Sequence, residues 1–176
     1  MRSRLQSIRS FVVALTASLL LTGVAGVADA AAPGAKAITP SGVGGVKLGK
    51  KFSKLREEGL VGRLRPGCEL GLNTRSARLR SPLEGSANFT TDPGPRRVTD
   101  IQITGGATAR GVGVGASKAE VKAAFPKAKF DHATEEVFGI TLVRIGKNAG
   151  GKLQMALSID SKTVTLIGIP GLAFCE

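Results

Sequence analysis

The chain has no tryptophan, no tyrosine, one histidine and two cysteines among its 176 residues. Each scarcity closes a class of function. Without Trp or Tyr the protein lacks two of the aromatic side chains that most often stack on bases or anchor strong protein hot spots, so nucleic acid is disfavoured as a partner. His132 is the single histidine, and neither a G-x-S-x-G nor an S-x-x-K run accompanies it, so a hydrolytic relay has little to be built from. Cys68 and Cys175 form no C-x-x-C, which removes dithiol redox chemistry and the common zinc signatures. Long apolar runs are as scarce. Only residues 11–21 form one, interrupted by Thr16 and Ser18, about half the ~20 residues of a membrane span. The expectation is a protein that is not an enzyme, with no catalytic residues, no cofactor, no metal and no stable membrane insertion.

What is present begins with an export signal. Arg2, Arg4 and Arg9 precede the apolar run, and Ala28-Asp29-Ala30 follows as a small-x-small cleavage pattern, the three parts a secretory leader needs. Residues 1–30 are therefore read as a signal peptide cut after Ala30, with Ala32 as a neighbouring option, and the mature protein as secreted. In an oxidising compartment two cysteines favour one bridge, Cys68 to Cys175, with free buried thiols as the other reading.

The net charge is +12, and loss of the leader with its three arginines and Asp29 leaves +10. Such a balance suits an anionic partner, or a plainly solvated surface. The excess is uneven. Residues 43–108 carry twelve basic and six acidic residues, against nine and six in 109–176.

The chain also repeats itself at a constant offset, the one that carries Val46 onto Val112. Gly45-Val46-Lys47-Leu48-Gly49 then overlies Gly111-Val112-Gly113-Val114-Gly115, Leu55 overlies Val121, and Val98 to Ile103 overlies Val164 to Ile169; Glu69, Arg78 and Gly85 match Glu135, Arg144 and Gly151. A repeat has to be read before the fold is assigned. Each copy opens with an apolar-glycine segment and a short helix. The second helix has Ser117 as N-cap with Glu120 three residues on, a capping box, and Pro126 as its stop; the first has Lys51 at the cap and Gly59 as its stop. Strand-like runs follow over 68–72, 75–79, 87–91 and 98–104, then over 138–145, 153–159 and 163–169. Short turns between them require antiparallel neighbours. The expected fold is α+β, a tandem duplication of a short helix packed on an antiparallel β-meander, with a flexible lead-in at 31–42, a first repeat at 43–108 and a second at 109–176. The nearly unbroken apolar run Val164 to Ile169 reads as a central strand covered on both faces.

The recurring Val46, Leu48, Gly49 and Leu55, with Val112, Val114, Gly115 and Val121, resemble the beta-lactamase-inhibitory-protein-like superfamily and the half-unit of the small outer-membrane assembly lipoproteins. The resemblance implies the duplicated fold and, as an alternative function, a proteinaceous inhibitor of a secreted enzyme such as a beta-lactamase. Two departures stand against that activity: the family's disulfides lie within each half, and its binding face is rich in Tyr and Trp.

Other motifs carry less. Gly44 to Lys51 falls one hydroxyl short of a phosphate-binding loop. Asp131, His132 and Glu135 offer too few ligands at too loose a spacing for zinc or calcium. The basic residues remain. Lys47, Lys50, Lys51 and Lys54 crowd the first helix, and Arg63, Arg65, Arg75, Arg78, Arg80, Arg96 and Arg97 continue through the first half. Of these, Lys47, Lys50, Lys51, Lys54, Arg75, Arg78, Arg96 and Arg97 are the candidate ligand-binding set, for an anionic envelope polymer or a secreted protein. A merely solvated face is the competing reading.

Overall fold

Apolar residues recur at every second position through most of this chain and at helical spacing only briefly, a pattern that makes long sheets and short helices. A computed structural model describes residues 34–67, 74–91, 93–146, 152–158 and 160–173. The leader, the strand expected over 68–72, Glu69, Gly151 and both cysteines lie outside them. In chain order the elements are β1 (Lys36–Thr39), β2 (Gly42–Val43), β3 (Val46–Lys47), α1 (Phe52–Glu57), β4 (Val61–Pro66), β5 (Arg75–Leu79), β6 (Glu84–Phe89), β7 (Val98–Gly105), β8 (Ala107–Ala109), β9 (Val112–Gly113), α2 (Lys118–Ala124), β10 (Lys129–Asp131), α3 (Glu135–Phe138), β11 (Ile140–Ile145), β12 (Leu153–Ser158) and β13 (Val164–Ile169). The architecture is α+β, with a five-stranded sheet β3-β2-β1-β8-β9 and an eight-stranded sheet β10-β11-β12-β13-β7-β6-β5-β4. All pairs of the large sheet are antiparallel; in the small one only β1 and β8 run parallel.

Individual backbone pairings recur at the offset that carries Val46 onto Val112. The pairs Gly42↔Lys47 and Val43↔Val46 return as Thr108↔Gly113 and Ala109↔Val112. Their two-residue turns, Gly44-Gly45 and Arg110-Gly111, both have positive φ at both centres, as a type I′ hairpin requires. Gly49 N donates to Val98 O at 2.8 Å, and Gly115 N to Val164 O at 2.8 Å. In the large sheet Leu64↔Ala77 and Arg65↔Ser76 return as Phe130↔Val143 and Asp131↔Leu142. Between β6 and β12 the offset grows by two: Ser86↔Gln102 returns as Gln154↔Gly168, and the register shift at Asn88/Phe89 returns at Ala156/Leu157. An insertion of even length keeps every side chain on its face, so the sheet tolerates it. It also moves the expected partner of Gly85, whose place in the pairing is held by Leu153.

The two runs of four strands meet at β7 and β13, where Ile101↔Ile169, Gln102↔Gly168 and Ile103↔Ile167. Gln102 and Gly168 are themselves separated by the repeat offset, so this pairing has a local two-fold axis between them. One face of the sheet carries Ala77, Leu79, Ala87, Phe89, Ile101, Ile103, Val143, Met155, Ile167 and Ile169, buried against Leu55 of α1, Val121 of α2 and the small sheet's Val43, Val46 and Val112. Phe52 meets Phe89 edge-on at 5.2 Å, a favoured aromatic geometry. β13 is central, as expected. Its outer side at Gly168 is covered by the chain's own end, for a Cβ there would lie 2.3 Å from Gly171 O.

Four expectations change. Lys36–Thr39, expected to be flexible lead-in, is a strand, because Ile38 is buried and Lys36 N bonds Gly106 O at 3.0 Å. The strand expected from 138 begins at Ile140, since Glu135–Phe138 closes a helical turn ended by left-handed Gly139. The β4 and β10 strands had no strong alternation to announce them. The expected Cys68–Cys175 disulfide is corrected: no disulfide is found among the described residues, and both cysteines lie outside them.

The helix caps differ as the residues dictate. Ser117 and Glu120 form the reciprocal capping box, whereas Lys51 offers no side-chain acceptor. Ser117→Ala should therefore cost about 1 kcal/mol and Lys51→Ser should add a few tenths to ~1 kcal/mol. Leu55→Ala, emptying a fully buried site, should cost about 2–5 kcal/mol. Denaturant midpoints of the three variants check all of these.

Candidate anion-binding groove

The expected ligand-binding residues separate into two places. Lys50, Lys51, Lys54, Arg96 and Arg97 gather at the start of α1, where Phe52 N bonds Arg96 O at 2.8 Å and Lys51 bridges Arg97. Most of their charge is used locally. Lys50 Nζ lies 2.5 Å from Glu58 Oε2, Lys54 Nζ lies 3.1 Å from Glu57 Oε2, and Arg97 Nη1 donates to Gly49 O at 2.9 Å. The Glu57 carboxylate, by hydrogen bond and charge, holds the Lys54 ammonium above the ordinary lysine value. Lys47 is exposed on β3. Arg75 is half-buried at the start of β5 and pairs with Phe89, on the core side of the sheet.

Arg78 stands apart from all of these, and in different company. On β5 Ala77 and Leu79 are buried while Arg78 is exposed, as is Arg80 just past it; on β4 Arg63 and Arg65 are exposed. Side chains alternate across a strand, so Arg65 and Arg78 project from the face opposite the helices, and Arg63 in the β4 bulge and Arg80 just past β5 line the same groove with them. The pairing sets them side by side at the sheet edge, Arg65 against Ser76 and the bulge at Gly62 and Arg63 against Arg78. Together with Gly62 and Leu79 they line an open groove of about 410 Å³. Among the described residues no acidic one lines it, and none of the four arginines is in an ion pair. Four guanidiniums, each a fork of donors that stays charged, form a ready receptor for oxyanions. The signal that reveals Arg63, Arg65 and Arg80 was in the sequence: the two-residue spacing of Arg63-x-Arg65 and Arg78-x-Arg80, which a list of basic residues does not weigh.

The matching place, one repeat offset further along the chain, is built differently. Arg63, Arg65, Arg78 and Arg80 become Lys129, Asp131, Arg144 and Gly146. There Asp131 Oδ2 sits 2.7 Å from Arg144 Nη2, so the positive charge is answered within the protein.

A second feature of the outer face lies at its centre. Residues 171–173 turn back over β7, β13 and β12: Gln102 Nε2 donates to Ala173 O at 3.1 Å, and Leu172 N donates to Gln154 Oε1 at 2.9 Å. The sheet's middle is therefore occupied at Gln102, Gly168 and Gln154, and the groove lies toward the β4–β5 edge.

Asp131, His132 and Glu135 do not converge. Asp131 turns to Arg144, while Glu135 Oε1 accepts from the Thr141 hydroxyl and lies 2.5 Å from His132 Nδ1. Among the described residues no group of three His, Cys, Asp or Glu is placed to hold a metal ion, and no helix is long and apolar enough to cross a membrane.

No protein-family model, no curated protein and no solved structure matches this chain.

The hydroxyl of Thr141, and after it His132, hold the Glu135 carboxyl below the ordinary glutamate value. A lowered folded value contributes stability that is complete above the unfolded value of about 4.3 and is lost as pH falls through the folded one. Glu135→Gln should thus be less stable than the parent at pH 7, and the difference should shrink below about pH 4; unfolding curves at both pH values check it.

Proposed function

We propose that this is an exported, non-catalytic binding module whose ligand is an anionic polymer, held in the groove of Arg63, Arg65, Arg78 and Arg80. The observation that carries the reading is the contrast between corresponding places. At Lys129, Asp131 and Arg144 the same pair of strands is completed with an internal ion pair, so the backbone arrangement does not call for four unpaired arginines. Edge strands do gain from charge, which discourages strand-to-strand association. One or two charges suffice for that, however, and Pro66 already interrupts this edge.

The recurrence of hydrogen bonds at the repeat offset supports a further part of the reading: a helix-and-meander unit was duplicated in tandem, in the manner of the beta-lactamase-inhibitory-protein-like superfamily. It does not carry that family's activity with it. A partner laid flat on the outer face would meet residues 171–173, which favours the edge groove over a broad protein-binding platform. The candidate set from the sequence is accordingly narrowed, with Arg78 kept and Lys50 and Lys54 assigned to their ion pairs.

Retention on a phosphocellulose matrix separates specific binding from general charge. The double variants Arg63→Ala/Arg65→Ala and Arg78→Ala/Arg80→Ala should elute at clearly lower salt than Lys50→Ala/Lys54→Ala and Lys129→Ala/Arg144→Ala, though all four lose the same formal charge. In free solution each groove arginine removed should flatten the dependence of log affinity on log salt by roughly 0.7–0.9, for a polyanion as densely charged as nucleic acid. Equal shifts for all four variants would retire the groove. Export, for its part, gives a mature protein beginning at Ala31, which an intact mass of the secreted product checks.

A further inference from the structure

The arginine groove does not end at Arg78. Arg78 and Leu79 also line a second depression, of about 480 Å³, that continues over β6 to β7 and contains Glu84, Ser86 and Thr104. Gly85 sits at a bulge where β6 and β7 approach closely, since a Cβ there would lie 2.0 Å from Gln102 O. Glu84 reaches across toward Gly105, where a Cβ would come within 2.7 Å of its carboxylate. From β4 to β7 the trough crosses three strand spacings, about 14 Å.

Its chemistry changes along that length. Among the described residues one end has four cations and no acid, the other has one exposed carboxylate and two hydroxyls, and Glu84 makes no ion pair with Arg78. A ligand anionic throughout would be repelled at Glu84, and a neutral one would leave the arginines without purpose. A ligand bearing an ammonium at the second end would face Arg78 and the field of its neighbours. What suits both ends is a chain with oxyanions in one part and hydroxyl groups in the next, since Glu84 accepts from hydroxyls while Ser86 and Thr104 both donate and accept. Among the described residues neither depression has an aromatic ring in its lining, and a sugar ring's apolar face would call for one to pack on. A linear polyol needs none.

We infer that the trough takes a linear polyol chain carrying phosphate or sulfate esters, its oxyanions on Arg63, Arg65, Arg78 and Arg80 and its hydroxyls on Glu84, Ser86 and Thr104. The inference rests on the anion-binding reading above. Titration calorimetry of the purified protein with a glycerol phosphate oligomer and with inorganic polyphosphate of equal charge tests it; a sulfated polyol oligomer distinguishes the two esters. Glu84→Gln should weaken the glycerol phosphate oligomer about three- to tenfold and at the same time tighten polyphosphate, because one probe loses an acceptor and the other loses a repulsion. Ser86→Ala and Thr104→Val should weaken only the hydroxylated probe. Tightening of both probes in Glu84→Gln would overturn the inference, leaving Glu84 as a repulsive charge alone. So would preference for an ethanolamine-bearing phosphate oligomer over the glycerol one. If neither probe binds the parent protein, the anion-binding reading itself fails, an outcome distinct from binding without hydroxyl preference.

Discussion

The antiparallel pairing of β7 with β13 is the contact on which the rest of the structure depends. Ile101 and Ile103 face Ile169 and Ile167, all fully buried, and between them Gln102 and Gly168 mark a local two-fold axis. Each run of four strands would otherwise end in a long apolar edge with a row of unpaired backbone groups, a template for aggregation. Joined there, the two runs bury each other's most apolar strand. The outer edges of the joined sheet are then β4, with its arginines and Pro66, and the three-residue β10, both poor templates for further pairing.

That junction also explains where a ligand can be received. The inner face is filled by α1, α2 and the small sheet, and the centre of the outer face by residues 171–173, pinned through Gln102 and Gln154. Glycine at 168 lets the returning chain lie close against the strand. The groove lies to one side of it, toward β4 and β5, where side chains two residues apart present four guanidiniums together. A scaffold whose strand pairings recur thus carries a surface that does not. The mirror position spends its charge on the Arg144–Asp131 ion pair, and the asymmetry is the ground on which the binding reading is proposed.

Much was legible from the residues alone. Spacing identified the internal recurrence, the capped second helix, the uncapped first one and a central apolar strand, because periodicity, caps and turns are local properties of a chain. Less legible were the short strands β1, β2, β8 and β9. Two to four residues carry too little pattern to be recognised, and each exists only because a partner strand waits at the right place.

The sequence by itself determined the α+β character, the absence of Trp and Tyr, the strong positive charge and the correspondence of Leu55 with Val121. Tertiary structure alone decided which charges stand free. Lys50 and Lys54 meet Glu58 and Glu57, Arg144 meets Asp131, and Arg63, Arg65, Arg78 and Arg80 are collected along two paired strands into one open groove. The physical reason is that a charge's consequence depends on what lies within a few ångströms of it, and in a sheet those neighbours come from strands distant in the chain.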